Sequence, residues 1–318
     1  MNKRRIVAIA KIGIACLLVY WLIRSGKLDL AAYKELRSGE RLPFIVLMVA
    51  LQACSLTIVL GRWRLMLRTH RISLSAWACI RLGFRGMFAT LFMPGSLGLD
   101  GTRALYLRNY HRSQLAEGLT SMIIDRVVGF LGLLLLALIF SFHLALTKGG
   151  SIPWMLVGTI AVALIGFAGT VVVANCGWLP RHRLLEGPSV SRWVSAFQSH
   201  RGDVGALAIA TVLSMLGHLL TSLAACAGLM VLGQTFSWVA VATVTPLVIV
   251  ARFLPVTPMG LGLSDGVAEY FYDMSGISGG AEVQMLLRAT MVFILVSGGI
   301  SYWLPVGSSE CQKNSQVS

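Results

Sequence analysis

Apolar residues run almost unbroken through six stretches of the chain, near 6–23, 43–60, 122–146, 153–175, 204–232 and 281–303. A helix needs about 20 mostly apolar residues to cross the hydrocarbon core of a bilayer, so each stretch predicts a membrane span. Two further apolar stretches, 74–93 and 236–256, run instead into glycine- and proline-rich segments, LFMPGSLGLDG at 91–101 and TPMGLGLSDG at 257–266. Both segments contain Leu-Gly-Leu, followed by Asp-Gly at once or after one serine. Prolines stop an incoming helix and glycines allow a tight reversal. Pro94, Gly95, Gly98 and Gly101, and likewise Pro258, Gly260, Gly262 and Gly266, are therefore expected at the tips of two helical hairpins.

Composition sets the class. Of 318 residues, 56% are hydrophobic and only 13% charged, with a mean hydropathy of +0.76, whereas a soluble domain carries roughly 25% charge. The formal net charge of +14 would suggest nucleic acid in a soluble protein, but no polar region here is large enough to bind it. Arginines beside membrane helices follow from the positive-inside rule and from anionic lipid. The six cysteines form no C-x-x-C pair and the six histidines no H-E-x-x-H, so no metal, disulfide frame or cofactor is expected. The start, MNKRRIVAIAKIGIACLLVYWLI, is basic like a signal peptide, but its apolar run is long, contains Lys11 and lacks a small-x-small cleavage site. It predicts an uncleaved first span.

Basic residues orient these elements. Segments 1–5, 61–72, 101–121, 176–203 and 306–318 hold 3, 4, 3, 4 and 1 Lys or Arg, whereas 254–280 holds none and 147–152 holds 1. Only 24–42, with 5, opposes a cytoplasmic N-terminus. With both termini in the cytoplasm, 74–100 must enter from that side and return to it, and 236–276 must do the same from the opposite face. The fold expected is an all-α polytopic membrane protein with about six spanning helices and two re-entrant hairpins arranged as inverted repeats. The first repeat is 1–147, with its hairpin near 74–110. The second is 148–305, with its hairpin near 236–276, and a polar tail follows at 306–318. Eight ordinary spans joined by surface turns is the competing arrangement.

Ionisable groups inside apolar segments are costly and point to function. Arg81 and Arg85 stand four apart and share a helix face; they suit a phosphate, which arginine binds through two nitrogens, or they snorkel to headgroups. Asp125 and Arg126 are helix neighbours about 100° apart, so each is expected to pair elsewhere, Asp125 with Arg103 or Arg85. They serve either bracing or substrate contact. Arg252 and Arg288 in the second half, opposite the first pair, would make a cavity basic at both ends, suited to a lipid phosphate moving between leaflets. Salt bridges to Asp265 or Glu269 are the alternative. Asp100 and Asp265 follow the twin turns, where they can cap a half-helix or pair with a cavity arginine. His143 and His218 read as packing residues.

No G-x-x-x-x-G-K-[ST] or H-x-E pattern occurs, and the longest hydrophilic segment, 176–203, is too short for a catalytic domain, so neither an ATP-driven pump nor an enzyme is expected. The segment FMPGSLGLDGTRALYLRNY followed by IIDRVVGFLGLLLLALI resembles the transmembrane, flippase-like region of lysylphosphatidylglycerol synthetases and their stand-alone relatives. Its motif N-x-x-x-P-G-x-x-G-G-D-x-x-R falls on Pro94, Gly95, Gly98, Asp100 and Arg103, and its acid–Arg pair on Asp125 and Arg126. A later P-x-x-P-G-G-[LIV]-G-x-x-[ED] falls on Pro258, Gly260, Gly262 and Asp265. Ala89 or Thr90 stands where asparagine is usual, Leu99 replaces the second glycine, and Met259 stands at a usual glycine.

The resemblance implies translocation of a phospholipid or lipid-linked, phosphate-bearing amphiphile across the inner membrane without ATP. The soluble synthetase of the bifunctional relatives is not expected in a chain that closes on VGSSECQKNSQVS. The alternative is a non-transporting subunit that stabilises or regulates a glycosyltransferase or lipid-modifying enzyme. The partners expected are anionic or lipid-linked headgroups and such an enzyme, with a homo-oligomer left open and nucleic acid excluded.

Overall fold

A computed structural model describes residues 39–90, 97–149, 151–175, 203–253 and 261–299, together with Tyr20 and Arg24. The tip residues Pro94, Gly95, Pro258 and Gly260, the first span apart from Tyr20, and the 306–318 tail lie outside the described residues. Among the described residues the secondary structure is helical, in nine α-helices: α1 Leu42–Thr69, α2 Ala76–Thr90, α3 Leu97–Tyr110, α4 Leu115–Lys148, α5 Ser151–Asn175, α6 Val204–Val231, α7 Trp238–Phe253, α8 Leu263–Met274 and α9 Gly280–Gly299.

Three of these regions, Gly39–Thr69, Arg112–Thr147 and Val204–Val231, are long and apolar enough to cross a membrane by length and composition. At 1.5 Å per residue, the 28 residues of α1 reach about 42 Å, beyond the roughly 30 Å hydrocarbon thickness. The predicted spans at 43–60 and 122–146 lie within these longer helices. The basic segment 61–72, expected as a loop, is helix as far as Thr69, and most of 101–121 is helix too. Arginine is a good helix former, and α1 meets no breaker until Arg71 takes a left-handed φ of 58°. There Ile72 N–H closes back on Leu67 O at 3.1 Å. Local caps set other starts: Pro43 lies in the first turn of α1, Ser75 Oγ accepts Ala78 N–H before α2, and Asp203 accepts Ala206 N–H before α6.

The order long helix, two short helices, long helix occurs twice, as α1–α4 and as α6–α9. The pairings recur with it. Each short pair packs on itself, α2 on α3 and α7 on α8, and its first member packs against the preceding long helix. Across the halves, α2 meets α9 while α7 meets α4, and α1 lies along α6 as the most extensive contact. Gly217 lets that pair close, with Ser55 Oγ donating to Gly217 O at 2.8 Å. One core gathers Trp63, Met66, Cys79, Leu82, Leu107 and Val128 around the first short pair. Another gathers Ala224, Val241, Ala268, Tyr272 and Val283 around the second.

Glycine has a defined task at the first hairpin. A Cβ on Gly98 would collide with the backbone of Thr90 and lie 2.6 Å from the Ala89 carbonyl carbon, and one on Gly86 would lie 2.7 Å from Leu99 Cα. The backbones of α2 and α3 touch only because neither residue carries a side chain.

Candidate functional site

The first-half ionic groups meet where α1, α3 and α4 converge. Asp125 projects inward from α4, and α1 supplies Arg62, whose Nε donates to Asp125 Oδ1 at 2.8 Å while Nη2 donates to the Asp125 carbonyl at 2.8 Å. From α3, Arg103 Nη1 stands 3.5 Å from the other carboxylate oxygen. All three side chains are buried. The Arg103 guanidinium lies 4.4 Å from the centroid of the Trp63 ring, a cation over a π-face, and Trp63 Nε1 donates to Ser121 Oγ at 3.0 Å. Arg62 passes over Gly129, where an added Cβ would come within 3.1 Å of its guanidinium. The Gly129 carbonyl accepts from Ser214 Oγ at 3.0 Å and meets His218 Nε2 at 3.2 Å, fastening α6 to α4.

Arg126, the next residue, points another way, as the helical turn between neighbours requires. Its Nη2 donates to both oxygens of Asp100, at 2.7 and 2.6 Å. This pair is open: the side chains are 41% and 30% exposed.

The second half repeats the pairing in a sealed form. Arg288 on α9 holds Asp265 at the start of α8 through two nitrogens, at 2.8 and 3.2 Å, and also donates to Ser264 Oγ at 3.1 Å. Asp265 is fully buried, and its Oδ2 accepts Gly262 N–H at 2.8 Å, capping the helix that follows. Gly262 has φ 78°, a left-handed conformation that glycine adopts without strain. At the end of α7, Arg252 donates to the side-chain oxygen of Gln284 on α9.

Thus the residues proposed from sequence divide. Arg103 reaches Asp125, and Arg126 and Arg288 reach the two turn aspartates Asp100 and Asp265. Glu269 does not join them: its Oε2 accepts Ala281 N–H at 2.9 Å, tying α8 to the start of α9. Arg252 has no carboxylate at ion-pair distance among the described residues, so the salt bridges offered it by Asp265 or Glu269 do not form. Arg81 and Arg85 sit half-buried on one face of α2. Sequence reasoning missed Arg62, the closest partner of Asp125, by counting it with a cytoplasmic loop. The spacing of Leu60, Trp63 and Leu67 continues the buried face of α1 past Arg62 and was the available signal. Ser264 and Gln284 carried no signal of their own. Gly101 and Gly266, the glycines after the two turn aspartates, are helical, and a Cβ on either would meet open space.

Outside these clusters, a recess of about 600 Å³ at the end of α3 is lined by Arg108, Asn109, Tyr110 and Arg112. No group of three or more potential metal ligands occurs among the described residues.

Long apolar helices around buried ion pairs, with arginines gathered at the short helices, define a helical integral membrane protein. Residues 8–307 match the family model of the lysylphosphatidylglycerol synthase TM region, and the chain belongs to that family. No curated protein matched it.

Proposed function

We propose that the protein is a lipid translocase that carries a phosphate-bearing amphiphile between leaflets without ATP, as two inverted repeats whose short helix pairs enter the bilayer from opposite faces. Both termini lie in the cytoplasm in this reading, the membrane is the cytoplasmic one, and no covalent step is assigned to any residue. The observation that carries it is the recurrence of one pairing. An aspartate in the first turn of the second short helix meets an arginine on the following long helix, as Asp100–Arg126 and as Asp265–Arg288. One copy is accessible and the other closed, as two gates of an alternating-access device would be.

The chemistry follows from the exposed copy. Arg126 spends a single nitrogen on Asp100, so its remaining donors are available to a headgroup phosphate, which guanidinium binds through two nitrogens. A phosphate that displaces Asp100 frees a carboxylate at the positive end of α3, where its negative charge is still stabilised. The route inward then passes Arg81 and Arg85 on the packed partner helix α2. The inverted arrangement accounts for two re-entrant backbones at membrane depth, which are tolerated only when buried in protein or lining a wet cavity.

The test is reconstitution of the purified protein alone into liposomes carrying fluorescent phospholipids in one leaflet. Lipid movement faster than in protein-free vesicles, and lost in Arg126→Leu, supports the reading. Absence of movement with every anionic and lipid-linked substrate tried would leave the role of supporting a partner enzyme.

A further inference from the structure

Between α7 and α9, two buried side-chain donors find no acceptor. Arg288 engages both oxygens of Asp265, Oδ1 through Nη2 and Oδ2 through Nη1, and Oδ2 also takes Gly262 N–H. Arg252 donates instead to a neutral group, the side-chain oxygen of Gln284. A guanidinium has only donors to offer, so it can be met only by the amide oxygen, and the Gln284 NH2 must point away from it. That NH2 is buried, with Gln284 1% exposed, and finds no acceptor. Arg252 Nε is also buried without an acceptor, while the rest of its side chain keeps partial exposure. The hydroxyls of Thr245 and Tyr272, in the same hairpin, face each other at 3.4 Å. Glu269 is engaged with Ala281 N–H.

Two buried, unsatisfied donors on contacting side chains, beside a cation without a carboxylate, describe a place made for an acceptor that bears negative charge. Leaving such groups unpaired carries the desolvation penalty of each in full, the more so for the charged one. A carboxylate from the chain would have removed that cost, and Gln284 stands where a glutamate would do so.

We propose that Arg252 and Gln284 form an oxyanion site between α7 and α9, taking a phosphate group through Arg252 Nε and Gln284 Nε2. As a second station on a lipid's route it rests on the translocation reading, but as an anion site it is tested by binding alone.

The experiment is the thermal unfolding midpoint of the purified full chain in neutral detergent. Potassium phosphate is compared with potassium chloride at equal ionic strength, and dihexanoyl phosphatidylglycerol with dihexanoylglycerol. The expected result is a midpoint rise of about 2 °C or more with phosphate or the phospholipid over its control. A rise with the phospholipid alone identifies the headgroup as the source, and a rise with both identifies the phosphate group itself. In Gln284→Glu the carboxylate neutralises Arg252 from within, so the midpoint in chloride rises and the phosphate-dependent shift shrinks. Gln284→Met, of similar volume but without donors, also diminishes the shift and keeps the proposal testable if the glutamate variant fails to fold. No shift in the unaltered protein, or an undiminished shift in both variants, overturns the site. A shift without lipid movement leaves the site standing and overturns translocation; movement without a shift does the reverse.

Discussion

Arg288 grips Asp265 through both terminal nitrogens, at 2.8 and 3.2 Å, while the same aspartate accepts the N–H of Gly262 three residues before it. One carboxylate thus caps a half-helix and neutralises an arginine on the next helix. The two roles separate on substitution by asparagine, whose side-chain oxygen can still accept the Gly262 N–H but which carries no charge.

Asp265→Asn is accordingly expected to destabilise the protein by about 3–5 kcal/mol, because it leaves Arg288 as a buried cation without its counter-charge. Asp100→Asn removes the equivalent charge from an exposed pair, worth about 1 kcal/mol or less. Its midpoint should stay near that of the parent while lipid translocation falls. Melting curves of both variants, with vesicle transport for the second, decide this; equal melting losses would mean that the two pairs do not differ as their exposure implies.

The buried Arg62–Asp125 contact makes a separate prediction. Arg62→Met and Asp125→Leu should each cost about 3–5 kcal/mol by stranding a charge in the core. The double variant should lose clearly less than the sum of the two, since both charges leave together. Additive losses in a double-mutant cycle would show that Arg103 and the surrounding dipoles, not Arg62, carry Asp125.

Gly98 and Gly101 lie one turn apart and should respond oppositely. Gly98→Ala forces the side chain into the Ala89–Thr90 backbone and is expected to separate α2 from α3, with a large fall in melting temperature. Gly101→Ala meets open space and should be neutral or stabilising by up to about 1 kcal/mol, as alanine is in a helix. A drop in translocation by a stable Gly101→Ala protein would mark that surface as a lipid contact; equal stability losses at both positions would refute the close-packed hairpin.

The same open positions test the topology. Gly101→Cys and Gly266→Cys, introduced singly into a cysteine-free background, should react with a membrane-impermeant maleimide from opposite faces, Gly101→Cys from the cytoplasm. Ser264 is fully buried and would make a poor reporter. Labelling of both from one side would rule out inverted repeats.

Much of this protein was legible before any coordinates. Three long apolar helices and the two short helix pairs are local matters: a run of apolar residues needs a bilayer's thickness, and the left-handed backbone at Gly262 suits glycine whatever surrounds it. That Asp125 and Arg126 would not serve each other also followed from helical geometry alone. Partner choice did not follow, because it joins residues far apart in sequence. Arg62 reaches Asp125 across 63 positions from a helix that runs past the point where charge counting ended it, and Arg252 meets Gln284 while Arg288 meets Asp265. The twin motifs are nearly identical as text, yet one aspartate is half-buried and the other sealed. Only the packing of α8 and α9 around Asp265, and the absence of the same enclosure around Asp100, decides which charge is sealed and which stays open to solvent.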